Sequence, residues 1–251
     1  MQILIPIYIL VFLYGIVIGS FVNVCIYRIP KGEDIVKTSS HCMNCGHVLT
    51  WYDLFPIFSF LALKGKCRYC GVKLSIQYPV IEVVNGVLYC LIVGVKGVNV
   101  NSIIYCLFAS ALLTLSVIDF RTMEIPVEIN YFIVVLGLIH MGLNYQKFWN
   151  YGLGFFSVSA GLFVLYQVTG GKGIGGGDIK LMAVSGLLLG IKANVLAFIL
   201  ACILGSMIHI LRMKITKADH VLALGPYLAA GILISLLWGE NMMEWYMGLF
   251  F

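Results

Sequence analysis

Charge is what this 251-residue chain has least of: Asp, Glu, Lys and Arg make up 11% of it, against 61% hydrophobic residues. Soluble domains carry roughly 25% charged residues, so the composition excludes one. Acidic residues are the scarcer kind, eleven against sixteen Lys and Arg, giving a net charge of +5. No aromatic–basic platform accompanies the basic residues, which removes nucleic acid as a partner. The first apolar run, 1–27, lacks both a basic start and a small-residue cleavage site, so a retained helix is expected rather than a signal peptide. The glycine run around residue 175 lacks a preceding strand and a Gly-Lys-Ser/Thr ending, which sets aside a phosphate loop. The two halves lack the self-similarity of a transporter built from repeats.

Long uncharged runs are abundant instead, at 1–27, 97–118, 129–146, 148–171, 193–211 and 221–239. Each meets or approaches the ~20 residues that cross a bilayer as a helix. Two weaker candidates are 77–95, interrupted by Glu82, and 179–191, bounded by Lys180 and Lys192. The expectation is an all-α polytopic membrane protein with about eight transmembrane helices. With the N-terminus outside, every Lys and Arg except Lys96, Lys147 and Lys192 falls in an inside loop, Lys172 and Lys217 among them. Such a bias marks the cytoplasmic side. Omitting the short 179–191 span weakens the asymmetry. The organisation read from this is a first helix over 1–27, a cytoplasmic loop over 28–76 and a seven-helix membrane domain over 77–251. The tail from Glu240 onward, with Trp245 and Tyr246, has the composition of an interfacial anchor.

The 28–76 loop is the one connection long enough to fold by itself. It carries Cys42-Met43-Asn44-Cys45-Gly46 and, after a gap, Cys67-Arg68-Tyr69-Cys70-Gly71. Two C-x-x-C units at this separation match a four-thiolate zinc site of two knuckles, with Cys42, Cys45, Cys67 and Cys70 as ligands. Gly46 and Gly71 stand where a knuckle turn needs positive φ. Redox chemistry and spare thiols are the rival readings, and His41 and His47 are substitute ligands. Four protein ligands leave no open position for water, so the zinc is structural, supplying stability that so small a loop lacks. Cys25, Cys90, Cys106 and Cys202 lie singly in apolar runs, as packing residues do.

Two carboxylates stand at the edges of apolar runs where the topology brings them to one membrane face. Asp119 ends the third span, and Asp178, in Gly173-Ile-Gly-Gly-Gly-Asp178-Ile-Lys180, opens the sixth. Charge near lipid is expensive and is retained for function. Two carboxyls close together in a poorly hydrated site share a proton, giving one general acid and one general base around a water. Gly175, Gly176 and Gly177 allow close backbone approach. Taken singly, Asp119 also fits an interfacial partner of Arg121, and Asp178 a helix N-cap. An ion path and a non-enzymatic scaffold are the competing function classes.

The ordered motifs resemble the type IV prepilin peptidase family of intramembrane aspartyl proteases. They are Gly19-Ser-Phe-Val-Asn23-Val-Cys-Ile-Tyr-Arg28, the double C-x-x-C loop, Gln77-Tyr78-Pro79-Val80-Ile81-Glu82, Asp119 with Ile125-Pro126, Gly175-Gly176-Gly177-Asp178 and Leu224-Gly225-Pro226-Tyr227-Leu228-Ala229. Gln77 stands where Arg is usual, and Val127 where Asp or Asn is frequent. The resemblance implies cleavage of membrane-inserted type IV prepilins or pseudopilins after a Gly, on the cytoplasmic side of a bacterial cytoplasmic membrane. It also implies methylation of the new N-terminal amine from S-adenosylmethionine. Asp119 and Asp178 are then catalytic. Gly19, Asn23, Arg28 and Glu82 with the zinc loop are where a methyl donor is sought, and Gly175, Gly177 and Lys180 are placed beside the substrate.

Overall fold

The computed structural model describes residues 4–171, 173–216 and 223–249; Lys172, Lys217 and the ends of the outermost apolar runs lie outside the described residues. The described residues are helical, with two isolated bridges, His41 to Val48 and Lys66 to Lys73, and no strand. They form two compact units, Met1–Thr114 and Leu115–Phe251.

The first unit holds α1 (Leu4–Arg28), the five-residue α2 (Phe58–Ala62), α3 (Gln77–Lys96) and the start of α4 (Val100–Thr122). α1 runs to Arg28 and gives way at Ile29-Pro30 to a single 3₁₀ turn, closed by the Gly32 amide donating to the Ile29 carbonyl at 3.0 Å. Pro79 falls in the first turn of α3, where its missing N–H costs no helical bond. α1 and α3 pack against each other through small residues. A Cβ on Gly15 would lie 2.6 Å from the Gly86 Cα, and one on Gly19 2.8 Å from the Glu82 Cα. Backbones this close are a common membrane solution, because lipid offers helices no hydrophobic reason to associate. Polar bonds supplement the contact: Asn85 Nδ2 donates to the Gly15 carbonyl at 2.8 Å, and the Ser110 hydroxyl donates to Asn85 Oδ1 at 2.8 Å.

The second unit holds the end of α4, then α5 (Val127–Leu143), α6 (Phe148–Ser157), α7 (Ser159–Val168), α8 (Gly176–Thr216) and α9 (Gly225–Met247). α4 stops at Met123, whose φ of 56° is left-handed, and Pro126 prevents helix from continuing. α8 is the hub: α5, α6, α7 and α9 all pack on it. It is broken at Gly190, where φ is 74° and ψ −178°, so 176–189 and 191–216 are separate helical pieces. Asn194 sits just past the break, and its Nδ2 donates to the Gly154 carbonyl, the Ser157 hydroxyl and the Met182 carbonyl. Those three bonds tie α6 and both pieces of α8 together.

Among the described residues, five stretches are long and apolar enough to cross a membrane: Ile5–Lys31, Gln77–Lys96, Val100–Thr122, Tyr145–Val168 and Gly176–Lys214. The chain is therefore a polytopic helical membrane protein. Rows of exposed apolar side chains such as Ile9, Leu13, Val17, Leu138 and Ile203 suit a lipid surround.

Candidate functional site

In the second unit, three chain segments converge on Asp119. The residue lies in the last turn of α4 and is only 5% exposed. Its Oδ2 accepts the Gly225 N–H at 2.8 Å. That amide belongs to the first turn of α9, where helical N–H groups have no internal partner and the helix end carries partial positive charge. Asp178 lies in the first turn of α8, half-buried, with its N–H bonded to the Gly175 carbonyl at 3.1 Å. The Asp119 charge reaches the Asp178 carboxyl, so the two acids face one electrostatic environment. Two carboxyls held this way, one tethered by a backbone amide and one on a glycine-flanked helix end, are equipped to move a proton to and from a water between them.

The glycines around Asp178 have separate tasks. A Cβ on Gly175 would lie 2.9 Å from Asp178 Oδ2, so that residue makes room for the carboxyl itself. A Cβ on Gly177 would meet the Ile125 side chain at 2.9 Å, and none would be met at Gly176. Lys180 is exposed. Gly225, named in the sequence only as part of the Leu224–Ala229 motif, supplies the amide that holds Asp119, a role with no side-chain signature. The available signal was Gly-Pro opening an apolar run, which marks a helix start with free N–H groups.

In the first unit, all four loop cysteines converge. Their sulfurs lie within 4.8 Å of one another, with Cys42 and Cys70 Sγ 3.8 Å apart. A tetrahedral zinc with Zn–S bonds of ~2.3 Å sets its sulfurs about 3.8 Å apart, so the spacing fits the metal. Each knuckle closes in the same way. The Cys42 amide donates to the His47 carbonyl at 2.9 Å and the Gly46 amide to the Cys42 carbonyl at 2.9 Å. The Cys67 and Gly71 amides repeat this with Val72 and Cys67 at 2.9 and 3.0 Å. Gly46 and Gly71 both have φ of 71°. The Val72 amide and then the Asn44 side chain, aimed at the sulfur, bring the Cys70 thiol down to about 6. The Cys45 and then the Asn44 amides likewise lower Cys42. The His47 amide works to lower Cys45, but burial and then the Cys42 and Cys70 sulfurs raise it to about 11, and four sulfurs gathered so closely can hold a cation among them. His41 faces the Ser39 carbonyl, and the His47 ring lies against Tyr69, its centroid 3.5 Å away; neither joins the cluster. Asp53 braces the second knuckle, accepting from Arg68 Nε at 2.7 Å and from the Thr50 hydroxyl at 2.7 Å.

Between this loop, the C-terminal end of α1 and the N-terminal end of α3 lies a cavity of about 480 Å³, within the ~300–1,000 Å³ of small-molecule sites. Asn23, Arg28 and Glu82 line it, together with Cys42 and Cys67. Gly19 does not; its place is the close contact of α1 with α3. Arg28 donates to the carbonyls of Asp34, Thr38 and Ser39, folding the start of the loop back over its own helix. Glu82, 5% exposed, accepts the amide of Ile57 at 2.7 Å. Ile57 has a φ of 62°, so the carboxylate secures a backbone turn that a branched residue resists.

The family model "Bacterial Peptidase A24 N-terminal domain" matches residues 13–95, and "Type IV leader peptidase family" matches residues 106–210. A relative from Bacillus subtilis, named prepilin leader peptidase/N-methyltransferase, is 33% identical over 244 residues, covering 94% of this chain and 96% of its own. Relatives of the same name from Pseudomonas putida and Aeromonas salmonicida are each 29% identical, covering 90% and 95% of this chain and 89% and 93% of theirs. No solved structure matches the chain significantly. With its acid pair, its loop and an alignment along nearly its whole length, the chain belongs to the type IV leader peptidase family.

Proposed function

We propose that the chain is a prepilin leader peptidase/N-methyltransferase, an intramembrane aspartic endopeptidase that also methylates the amine it releases. The first activity is supported by the buried Asp119 carboxyl, held by the Gly225 amide at the end of α4, with Asp178 in the first turn of α8 within range of its charge. The ionised member takes a proton from water, which attacks the carbonyl of the scissile Gly. The other donates to the developing oxyanion, and then the leaving amine is protonated. A helical substrate must unwind locally to enter, and glycine at the cut lowers that cost.

The second activity is supported by the enclosed cavity beside the cysteine loop. S-adenosylmethionine bound there supplies an electrophilic methyl group on a sulfonium. Zinc held by Cys42, Cys45, Cys67 and Cys70 keeps the loop folded over the cavity. Substrates are membrane-inserted type IV prepilins or pseudopilins. The setting is the bacterial cytoplasmic membrane, N-terminus outside, with chemistry on the cytoplasmic side. Eight spans result when α5 and α9 are each counted, α6 and α7 cross together, and α8 crosses twice about Gly190.

Incubating purified protein with a prepilin, with and without methyl donor, tests both activities. Asp119→Asn and Asp178→Asn each abolish cleavage while insertion and folding persist; full cleavage by either variant would sink the acid-pair assignment.

A further inference from the structure

The cavity of the first unit has one wall whose chemistry the fold itself does not use up. Asn23 is 2% exposed and lines the cavity. Its Nδ2 donates to two carbonyls, Gly19 on its own helix at 3.3 Å and Tyr78 on α3 at 3.1 Å. Only an NH2 satisfies two carbonyls, so the orientation of the amide is settled, and Oδ1 is buried without a hydrogen-bond partner. A buried acceptor left unmatched is costly, and one on a residue lining a cavity can be matched by a ligand that supplies the donor. Glu82 lies on the same cavity wall, with Ile57 using one position on Oε2. A carboxylate offers about four lone-pair sites, so acceptor capacity remains.

Among the described residues, no cationic side chain of the lining forms an ion pair with Glu82. Arg28 is committed to three carbonyls, Arg68 to Asp53 and Lys31 to Glu33, while Lys66 and Lys73 are exposed. A buried neutral acceptor and a buried carboxyl that line one cavity are matched by a group with several N–H donors and a positive charge. We propose that Asn23 Oδ1 and Glu82 form the seat of a primary ammonium group in the cavity. This rests on the reading of the cavity as the methyl-transfer chamber and adds to it which end of a ligand points at α1 and α3. Two ammonium groups share the chemistry: that of the amino-acid moiety of the donor, and the new N-terminus of the cleaved substrate.

The test uses the full-length protein in nanodiscs. S-adenosylhomocysteine and 5′-methylthioadenosine, which lacks the amino-acid moiety, are titrated into wild type, Glu82→Gln and Asn23→Leu. The KM of methylation is measured in parallel for a peptide beginning at Phe, with prepilin cleavage reporting intact folding. Glu82→Gln keeps an acceptor for the Ile57 amide and removes only the charge. If the seat holds the donor, both variants weaken S-adenosylhomocysteine binding at least tenfold and leave 5′-methylthioadenosine binding unchanged. If it holds the substrate, donor binding is unchanged and the peptide KM rises at least tenfold. Changes under twofold in both overturn the proposal. Leu74→Trp, which fills the cavity from the loop side, separates the two levels: undiminished donor binding and methylation in that variant overturn the chamber reading itself. Should a variant lose cleavage, wild type decides alone. In wild type, S-adenosylhomocysteine outbinds its N-acetyl form if the seat holds the donor, and an amine-terminated Phe peptide outcompetes its N-acetyl form in methylation if it holds the substrate; equal behaviour in both pairs refutes the seat.

Discussion

The backbone amide of Gly225 donates to Oδ2 of Asp119 at 2.8 Å, joining positions 106 residues apart. The contact sets a carboxylate at the end of one helix against the electropositive start of another. One lone pair of Asp119 is occupied and its position fixed, while its other oxygen is left for chemistry. In an apolar setting a preformed hydrogen bond of this kind fixes geometry before substrate arrives, which is where much catalytic advantage originates.

Gly225→Ala tests that arrangement. The added Cβ would stand 2.7 Å from Asp119 Oδ2 and 2.9 Å from its carboxyl carbon, so the acid must move. Displacements near 1 Å cost about 10²-fold in rate. Cleavage is expected to fall by about that factor, while methylation of an already cleaved peptide stays at the wild-type rate. Single-turnover cleavage and peptide methylation on the same preparation check it.

Removal of metal separates the two activities. Chelation, or Cys42→Ser with Cys67→Ser, is expected to expose the loop to proteolysis within 28–76, abolish methylation and leave cleavage in place. Elemental analysis should give about one zinc per chain before treatment, as a closed four-thiolate site requires. A loop equally resistant with and without metal contradicts the structural role of zinc.

What the sequence made legible and what it did not divide along chemical lines. Cysteines at C-x-x-C spacing and carboxylates in an apolar chain stand out because such residues are costly or reactive unless used. The topology then puts Asp119 and Asp178 on one side. The Gly225 amide, the tie from Glu82 to Ile57 and the open Oδ1 of Asn23 stayed hidden, since each depends on which backbone group meets which side chain in space. The sequence reads Gly175, Gly176 and Gly177 as room for close approach by substrate or a neighbouring helix; what an added Cβ would meet first is the Asp178 carboxyl at Gly175 and the Ile125 side chain at Gly177. The apolar runs located helices well, but whether one helix crosses once or turns back depends on single φ angles such as that of Gly190.

Asp53 gives the loop a pH dependence of definite sign. Burial works to raise its carboxyl, but the bonds from Thr50 and Arg68 outweigh it and hold the group below the ordinary range. A depressed folded value stabilises the loop fully above the unfolded value of about 4, and the contribution is lost as pH falls through the lower folded value. Asp53→Asn is therefore expected to cost the zinc-loaded loop about 1–3 kcal/mol at neutral pH and progressively less in acid. Resistance of the loop to proteolysis at pH 7 and pH 3.5, wild type against variant, measures it.

Gly190→Ala tests whether the break in α8 is required. At φ 74° and ψ −178° the backbone lies in a region essentially open only to glycine, costing an L-residue about 1–3 kcal/mol. The new Cβ also lands on the Asn150 amide, whose Oδ1 accepts the Ile191 N–H at 3.4 Å across the break. The segment bearing Asp178 is the 176–189 piece, so straightening the break re-aims the carboxyl as well as straining the fold. The expected result is a lower unfolding temperature in detergent together with slower cleavage. Gly142→Ala is the control: it lies in α5 with nothing within 4 Å of an added Cβ, and it should be neutral or stabilising by up to about 1 kcal/mol. Equal behaviour of the two variants would mean that α8 tolerates a continuous course and that the position of Asp178 does not depend on the break.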